Sequence, residues 1–117
     1  MKVDILSGTS RLETLQHEPS EDVGVDEVKV INGRVCIAYD DMIAGDPGNF
    51  VHACEHMEFP NAADEAFNEG EPIYFDEGDD QFHNADDNGR IKCGMVLKSV
   101  GSSDDKVKAR LDNTVNL

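Results

Sequence analysis

From Glu27 onward the chain alternates between short apolar runs and clusters of Gly, Asp, Asn and Pro. Val28-Lys29-Val30-Ile31 runs into Asn32-Gly33 and then into Arg34-Val35-Cys36-Ile37-Ala38-Tyr39. Asn-Gly between two β-branched runs predicts a hairpin, because a type I′ turn needs positive φ at both central residues. Val35, Ile37 and Tyr39 then fall on one face by period-two alternation. The breakers of Ala44-Gly45-Asp46-Pro47-Gly48-Asn49 predict a loop. Phe50 to Phe59 predicts a strand stopped by Pro60 and Asn61. Ala62 to Asn68 reads as one helical turn or a loop. Ile73-Tyr74-Phe75 predicts a strand paired with Gln81-Phe82-His83 across Asp76-Glu77-Gly78-Asp79-Asp80. Asp86-Asp87-Asn88-Gly89 predicts a turn. Ile91 to Val100, with Gly94 inside it, and Val107-Lys108-Ala109-Arg110-Leu111 complete the set. No segment sustains a helical period. About seven or eight short antiparallel strands at such spacing predict an all-β fold, a small β-barrel or β-sandwich.

The first 26 residues differ from the rest. Their apolar residues, Val3, Ile5, Leu6, Leu12 and Leu15, are sparse and aperiodic. Ser10 to Gln16 is too short to hold a helix alone. The expectation is an extended N-terminal arm over residues 1–26 and a β domain over residues 27–117. The arm's apolar side chains would serve as pegs on a partner.

Charge sharpens this picture. The chain has 117 residues, one domain's worth, and carries 25 acids against 10 bases, a net charge of −15. From Val35 to Gly89 there is no Lys or Arg, and the same stretch holds fifteen acids. Six of the ten bases fall between Arg90 and Arg110. Nucleic-acid binding and anionic membrane surfaces want the opposite sign. No apolar run of about 18 residues is present to span a bilayer. The N-terminus lacks the apolar stretch of a signal peptide. Hydrophobic residues make up 38%, with 5 Phe, enough for a small core and against global disorder. Cys36, Cys54 and Cys93 form an odd set without a CxxC pair, which argues for free thiols made in a reducing compartment.

Two constellations have the residue types of metal sites. His52-x-Cys54-x-His56 would present two imidazoles and a thiol on one face of a regular strand, and zinc prefers such ligands. A fourth ligand would have to come from Cys36, Cys93, His17 or His83. Asn84-x-Asp86-x-Asn88-Gly89 follows the first half of a calcium loop, with Asp76, Asp79 and Asp80 near in sequence. Its twelfth place is Met95, not the bidentate Glu such a loop needs. Both read as ordinary elements, a strand and an Asx-rich turn. No GxSxG elbow or GK[ST] phosphate loop occurs, and the paired carboxylates come with no sign of a cleft. No cofactor is implied, and the chain reads as a non-enzyme.

The order of these pieces resembles a family of small capsid decoration proteins of tailed bacteriophages, also called cement or minor capsid proteins. The residues that carry the resemblance are Asn32 to Ala38, Ile43-Ala44-Gly45-Asp46, Met57-Glu58-Phe59-Pro60, Glu69 to Asp76, Lys92 to Leu97 and Val107 to Leu111. Together they cover residues 28–112. The resemblance implies a structural virion protein on the outer face of the expanded icosahedral shell. It also implies the major capsid protein as partner and a homotrimer at three-fold and quasi-three-fold positions. The expected shell contacts are the pegs Ile5, Leu6, Leu12 and Leu15. Arg90, Lys92, Lys98, Lys106, Lys108 and Arg110 are expected to face the shell or neighbouring protomers. The runner-up is a capsid-surface adhesion or ligand-binding module, cation-dependent through the Asp-rich loops.

Overall fold

In the computed structural model, which describes residues 1–6, 12–87 and 89–113, Asn32 and Gly33 sit at φ of 51° and 81°. This is the expected two-residue turn. The described residues form nine strands: β1 (Asp4–Ile5), β2 (Leu12–His17), β3 (Val28–Ile31), β4 (Arg34–Ala38), β5 (Gly48–Pro60), β6 (Pro72–Asp76), β7 (Gln81–His83), β8 (Ile91–Val96) and β9 (Lys106–Asp112). They make one curled antiparallel sheet, a half-barrel, in the order β3-β4-β5-β9-β8-β6-β7. The stretch around Ala62 to Asn68 is irregular rather than helical, with Phe67 bridged to Val100.

β5 organises the sheet. Phe50 and Val51 each face one partner in β4 and one in β2, so those strands lie on opposite edges. Ala53 and Cys54 likewise face β2 on one edge and β9 on the other. β4 and β9 therefore leave the same edge of β5 at different heights, and β2 and β1 run along the other edge. The described part of the N-terminal segment is laid along β5, with Asp4 opposite Glu58 and Leu12 opposite Cys54. Val3 and Val23 from this segment are buried.

The fork between β4 and β9 is closed by one side chain. Asn113 accepts from the Val35 amide at 2.9 Å, and its Nδ2 donates to the Val35 and His52 carbonyls at 3.0 and 2.8 Å. A side-chain amide thus stands in for a missing strand residue. Unpaired backbone groups in such a place cost about 1–3 kcal/mol each. Asn113→Ala is expected to lower the unfolding free energy by about 2–3 kcal/mol in a urea titration.

Two apolar clusters lie on the two faces of the β4–β5 region. Val35, Ile37, Val51, Cys54 and Met57 join the main core, while Cys36, Ala38 and Phe50 join a smaller cluster with Val23, Ile31 and Met42. Burial on both faces explains the unbroken apolar run of β4. Tyr39, expected beside Val35 and Ile37, lies beyond the strand end and is 51% exposed. Phe59, Phe67, Phe75 and Phe82 stack in the main core, with Phe59 and Phe82 centroids 4.5 Å apart.

β5 is not a regular strand. Its register slips near His52 against β2 and between Cys54 and Met57 against β9. Each bulge adds a residue and flips the alternation. Val51, Cys54 and Met57, three apart, consequently all reach the main core. The expected shared face of His52, Cys54 and His56 is lost: Cys54 is 2% exposed, the two His are half-buried, and their ligand atoms form no cluster.

Candidate functional site

The Lys-Val-Lys-Ala-Arg-Leu alternation of β9 sends Val107, Ala109 and Leu111 into the core and Lys106, Lys108 and Arg110 outward. β8 places exposed Met95 opposite Arg110, and the Leu97 amide donates to the Lys108 carbonyl at 3.0 Å. Lys98, Lys106 and Lys108 border an open groove of about 410 Å³ with Glu58, Val100, Asp104 and Asp105. Lys106 lies 3.7 Å from Glu58, and Arg110 lies 2.8 Å from Asp112. Lys98 and Lys108 have no ion-pair partner among the described residues. The four bases of this face thus stand among four acids, Glu58, Asp104, Asp105 and Asp112, and the face is mixed in charge.

The expected contact residues separate here. Lys98, Lys106, Lys108 and Arg110 share this exposed region. Arg90 does not: its Nε lies 3.3 Å from Asp76 and its Nη1 donates to the Ala85 carbonyl at 3.0 Å, so it braces the β6–β7 hairpin. Lys92 is half-buried opposite Tyr74. Among the pegs, Ile5 and Leu15 pack half-buried against the two cores. Leu6 is half-buried, its amide donating to the His56 carbonyl at 3.0 Å. Leu12 is exposed. More exposed apolar side chains lie elsewhere, at Ile43 (67%) and Tyr39. The available signal at Ile43 is a large apolar residue between Asp41 and Asp46 with no alternation to bury it, whereas Tyr39 reads as part of the strand with Val35 and Ile37.

The Asp-rich hairpin is internally committed. His83 is buried, its Nδ1 2.6 Å from Glu65 Oε2 and its Nε2 2.8 Å from Asp79 Oδ2. As an imidazolium it donates to both. Burial alone would lower its pKa, but the two carboxylates outweigh that and raise it. Burial would raise the Asp76 pKa; the Gly78 amide, the Arg90 guanidinium and the Asp79 amide outweigh that and lower it. Asp76, Asp79 and His83 are the one group among the described residues whose ligand atoms lie within 4.8 Å of one another. Those atoms already bond to His83, Arg90 and backbone amides. Asn84 of the calcium-loop pattern donates instead to the Ala66 carbonyl at 2.7 Å, and Asn88 lies outside the described residues.

The sign of the His83 effect follows from its raised pKa. Its stabilisation is complete below the unfolded value of 6.5 and is lost as pH rises through the higher folded value. The melting-temperature advantage of the natural protein over His83→Gln is therefore expected to shrink as pH rises above the unfolded value of 6.5. An advantage independent of pH would contradict the clamp.

The three thiols are free and buried. Burial pushes Cys36 up to about 12, Cys54 up to about 11 and Cys93 upward as well. Thiolate is the reactive form, so an aromatic disulfide reagent is expected to modify them only after unfolding. Rapid labelling of the native protein would contradict this burial.

The fold and these surfaces define a small all-β protein that presents faces and edges for contact. The chain belongs to the phage cement protein family, whose family model matches residues 9–111. No curated protein matches it. The family is a structural one and not an enzyme class; it implies a capsid-stabilising role, the major capsid protein as partner and the virion capsid as location. No helix among the described residues is long and apolar enough to cross a membrane.

Proposed function

We propose that the protein binds the outer surface of the expanded icosahedral capsid and cements it, as a homotrimer at three-fold and quasi-three-fold sites. The observation that carries this reading is the family match over residues 9–111. The all-β frame with open polar faces supports it. A net charge of −15 suits the outside of a particle filled with DNA. The mechanism is linkage: a ligand that binds the expanded shell and not the unexpanded one stabilises the former by its binding free energy. Many weak contacts on one particle act together.

We assign the shell contact to the outer edge of β1 and β2, with Leu12 as the exposed peg and Ile5, Leu6 and Leu15 setting its backbone. Leu12→Glu should then weaken particle binding with unchanged circular dichroism. The cementing role is tested by heating DNA-filled particles that lack the protein, with and without added protein. DNA release is expected at a higher temperature with the protein present. Identical release curves at saturating binding would contradict cementing.

A further inference from the structure

His83 is 5% exposed and lies between two carboxylates from different elements. Glu65 comes from the irregular segment before β6, and Asp79 comes from the turn between β6 and β7. The Asp76 carboxylate of β6 completes the group and is paired to Arg90. Tyr74 stands opposite His83 in the β6–β7 register. An imidazolium has two N–H donors and serves both Glu65 and Asp79. A neutral imidazole has one. Whichever contact loses the proton becomes two acceptors face to face, at 2.6 Å for Glu65 or 2.8 Å for Asp79.

The two contacts are not equivalent. Both oxygens of Glu65 are engaged, Oε2 with His83 and Oε1 with the Asn84 amide at 2.7 Å. The Glu65 side chain is 24% exposed, so an orphaned oxygen there would be poorly hydrated. The Asp79 side chain is 44% exposed, and water can replace the bond that its Oδ2 loses. The Nδ1 proton is therefore the one kept, and the Nε2 proton is the one that leaves for solvent. Movement of Asp79 then reaches the turn backbone, because its Oδ1 accepts from the Gln81 amide at 3.1 Å. The same turn carries Glu77 and Asp80, which wall a cavity of about 200 Å³ together with Glu27 and the Val28–Val30 stretch of β3.

We propose that His83 is a pH-operated latch on the turn between β6 and β7: loss of its Nε2 proton leaves the ring joined to Glu65, frees Asp79 and loosens the turn while the rest of the fold stays intact. The turn is shut at low pH. It opens as pH rises through the folded value of His83, which the two carboxylates hold above 6.5. The latch thus governs one wall of the cavity between the turn and β3, the strands β7 and β3 being the two ends of the sheet order.

The test is a pH titration of the isotope-labelled full chain by NMR, upward from below pH 6.5. The ring nitrogen shifts of neutral His83 are expected to be those of the Nδ1–H tautomer. The Gln81 amide is expected to lose hydrogen-exchange protection, corrected for the intrinsic rate, with the midpoint of the His83 ring. The Asn84 amide, bonded to Glu65, is expected to keep its protection. In Asp79→Asn the side-chain amide can donate to the bare Nε2, so the His83 midpoint is expected to fall and the Gln81 protection to stay level across the titration. Circular dichroism verifies that both proteins remain folded. An Nε2–H tautomer, a Gln81 amide indifferent to the His83 titration, or an Asp79→Asn variant that opens like the natural protein would overturn the proposal.

Discussion

Phe59→Ala is expected to lower the unfolding free energy by about 3–5 kcal/mol, a large part of the roughly 5–15 kcal/mol that holds a domain folded. Phe59 stands at the end of β5, fully buried. Its ring meets Phe67 at a centroid distance of 5.6 Å and Phe82 at 4.5 Å, and Phe82 meets Phe75 at 5.0 Å. Phe75 and Phe82 belong to β6 and β7, and Phe67 belongs to the irregular segment before β6. One ring therefore ties β5 to the far end of the half-barrel. Truncation removes its transfer free energy and leaves a cavity that three neighbouring rings cannot easily fill. Urea denaturation measures the loss, and a cost below about 1 kcal/mol would contradict this packing.

Gly94→Ala is expected to be comparably severe for a different reason. A Cβ at Gly94 would lie 2.0 Å from the Arg110 carbonyl oxygen and 3.1 Å from its carbon. Both are backbone atoms of β9, and neither can rotate away. The strands must separate where Gly94 pairs with Leu111, next to the Met95–Arg110 pair. Overpacking usually costs about 1–3 kcal/mol, and a clash with backbone belongs at or above the upper end. The melting temperature should fall by many degrees, and the Leu97 amide, which donates to the Lys108 carbonyl across β8 and β9, should lose hydrogen-exchange protection first. A variant as stable as the natural protein would contradict the close approach of β8 and β9.

The parts of the fold legible in the sequence were those with local causes. Asn32-Gly33 demands positive φ and so declares the hairpin. The alternation of Val107 to Leu111 declares β9 and its outward cations. Gln81-Phe82-His83 follows Ile73-Tyr74-Phe75 closely enough to pair with it. The parts that were not legible depend on contacts distant in sequence. β2 reads Leu-Glu-Thr-Leu-Gln-His, with no apolar alternation, because it lies half-buried along β5. The bulges of β5 are set by the forking of β4 and β9, so period-two reading misplaced Cys54 relative to His52 and His56. Asn113 and Val35 are 78 residues apart. Arg90 looked like a contact residue until Asp76, fourteen residues away, was found beside it. Ile43 lay beside a breaker-rich loop, where an apolar residue suggests nothing, and Tyr39 was read into the strand with Val35 and Ile37, whereas β4 ends at Ala38 and leaves it exposed.

The central claim is that the protein binds the expanded capsid. Co-sedimentation with DNA-filled particles lacking it, titrated to saturation and compared with unexpanded shells, tests this most directly. Saturable binding to the expanded particles at a copy number matching the three-fold and quasi-three-fold sites, with little binding to unexpanded shells, is the predicted result. Failure of the folded protein to bind, or equal binding to both forms, would contradict it.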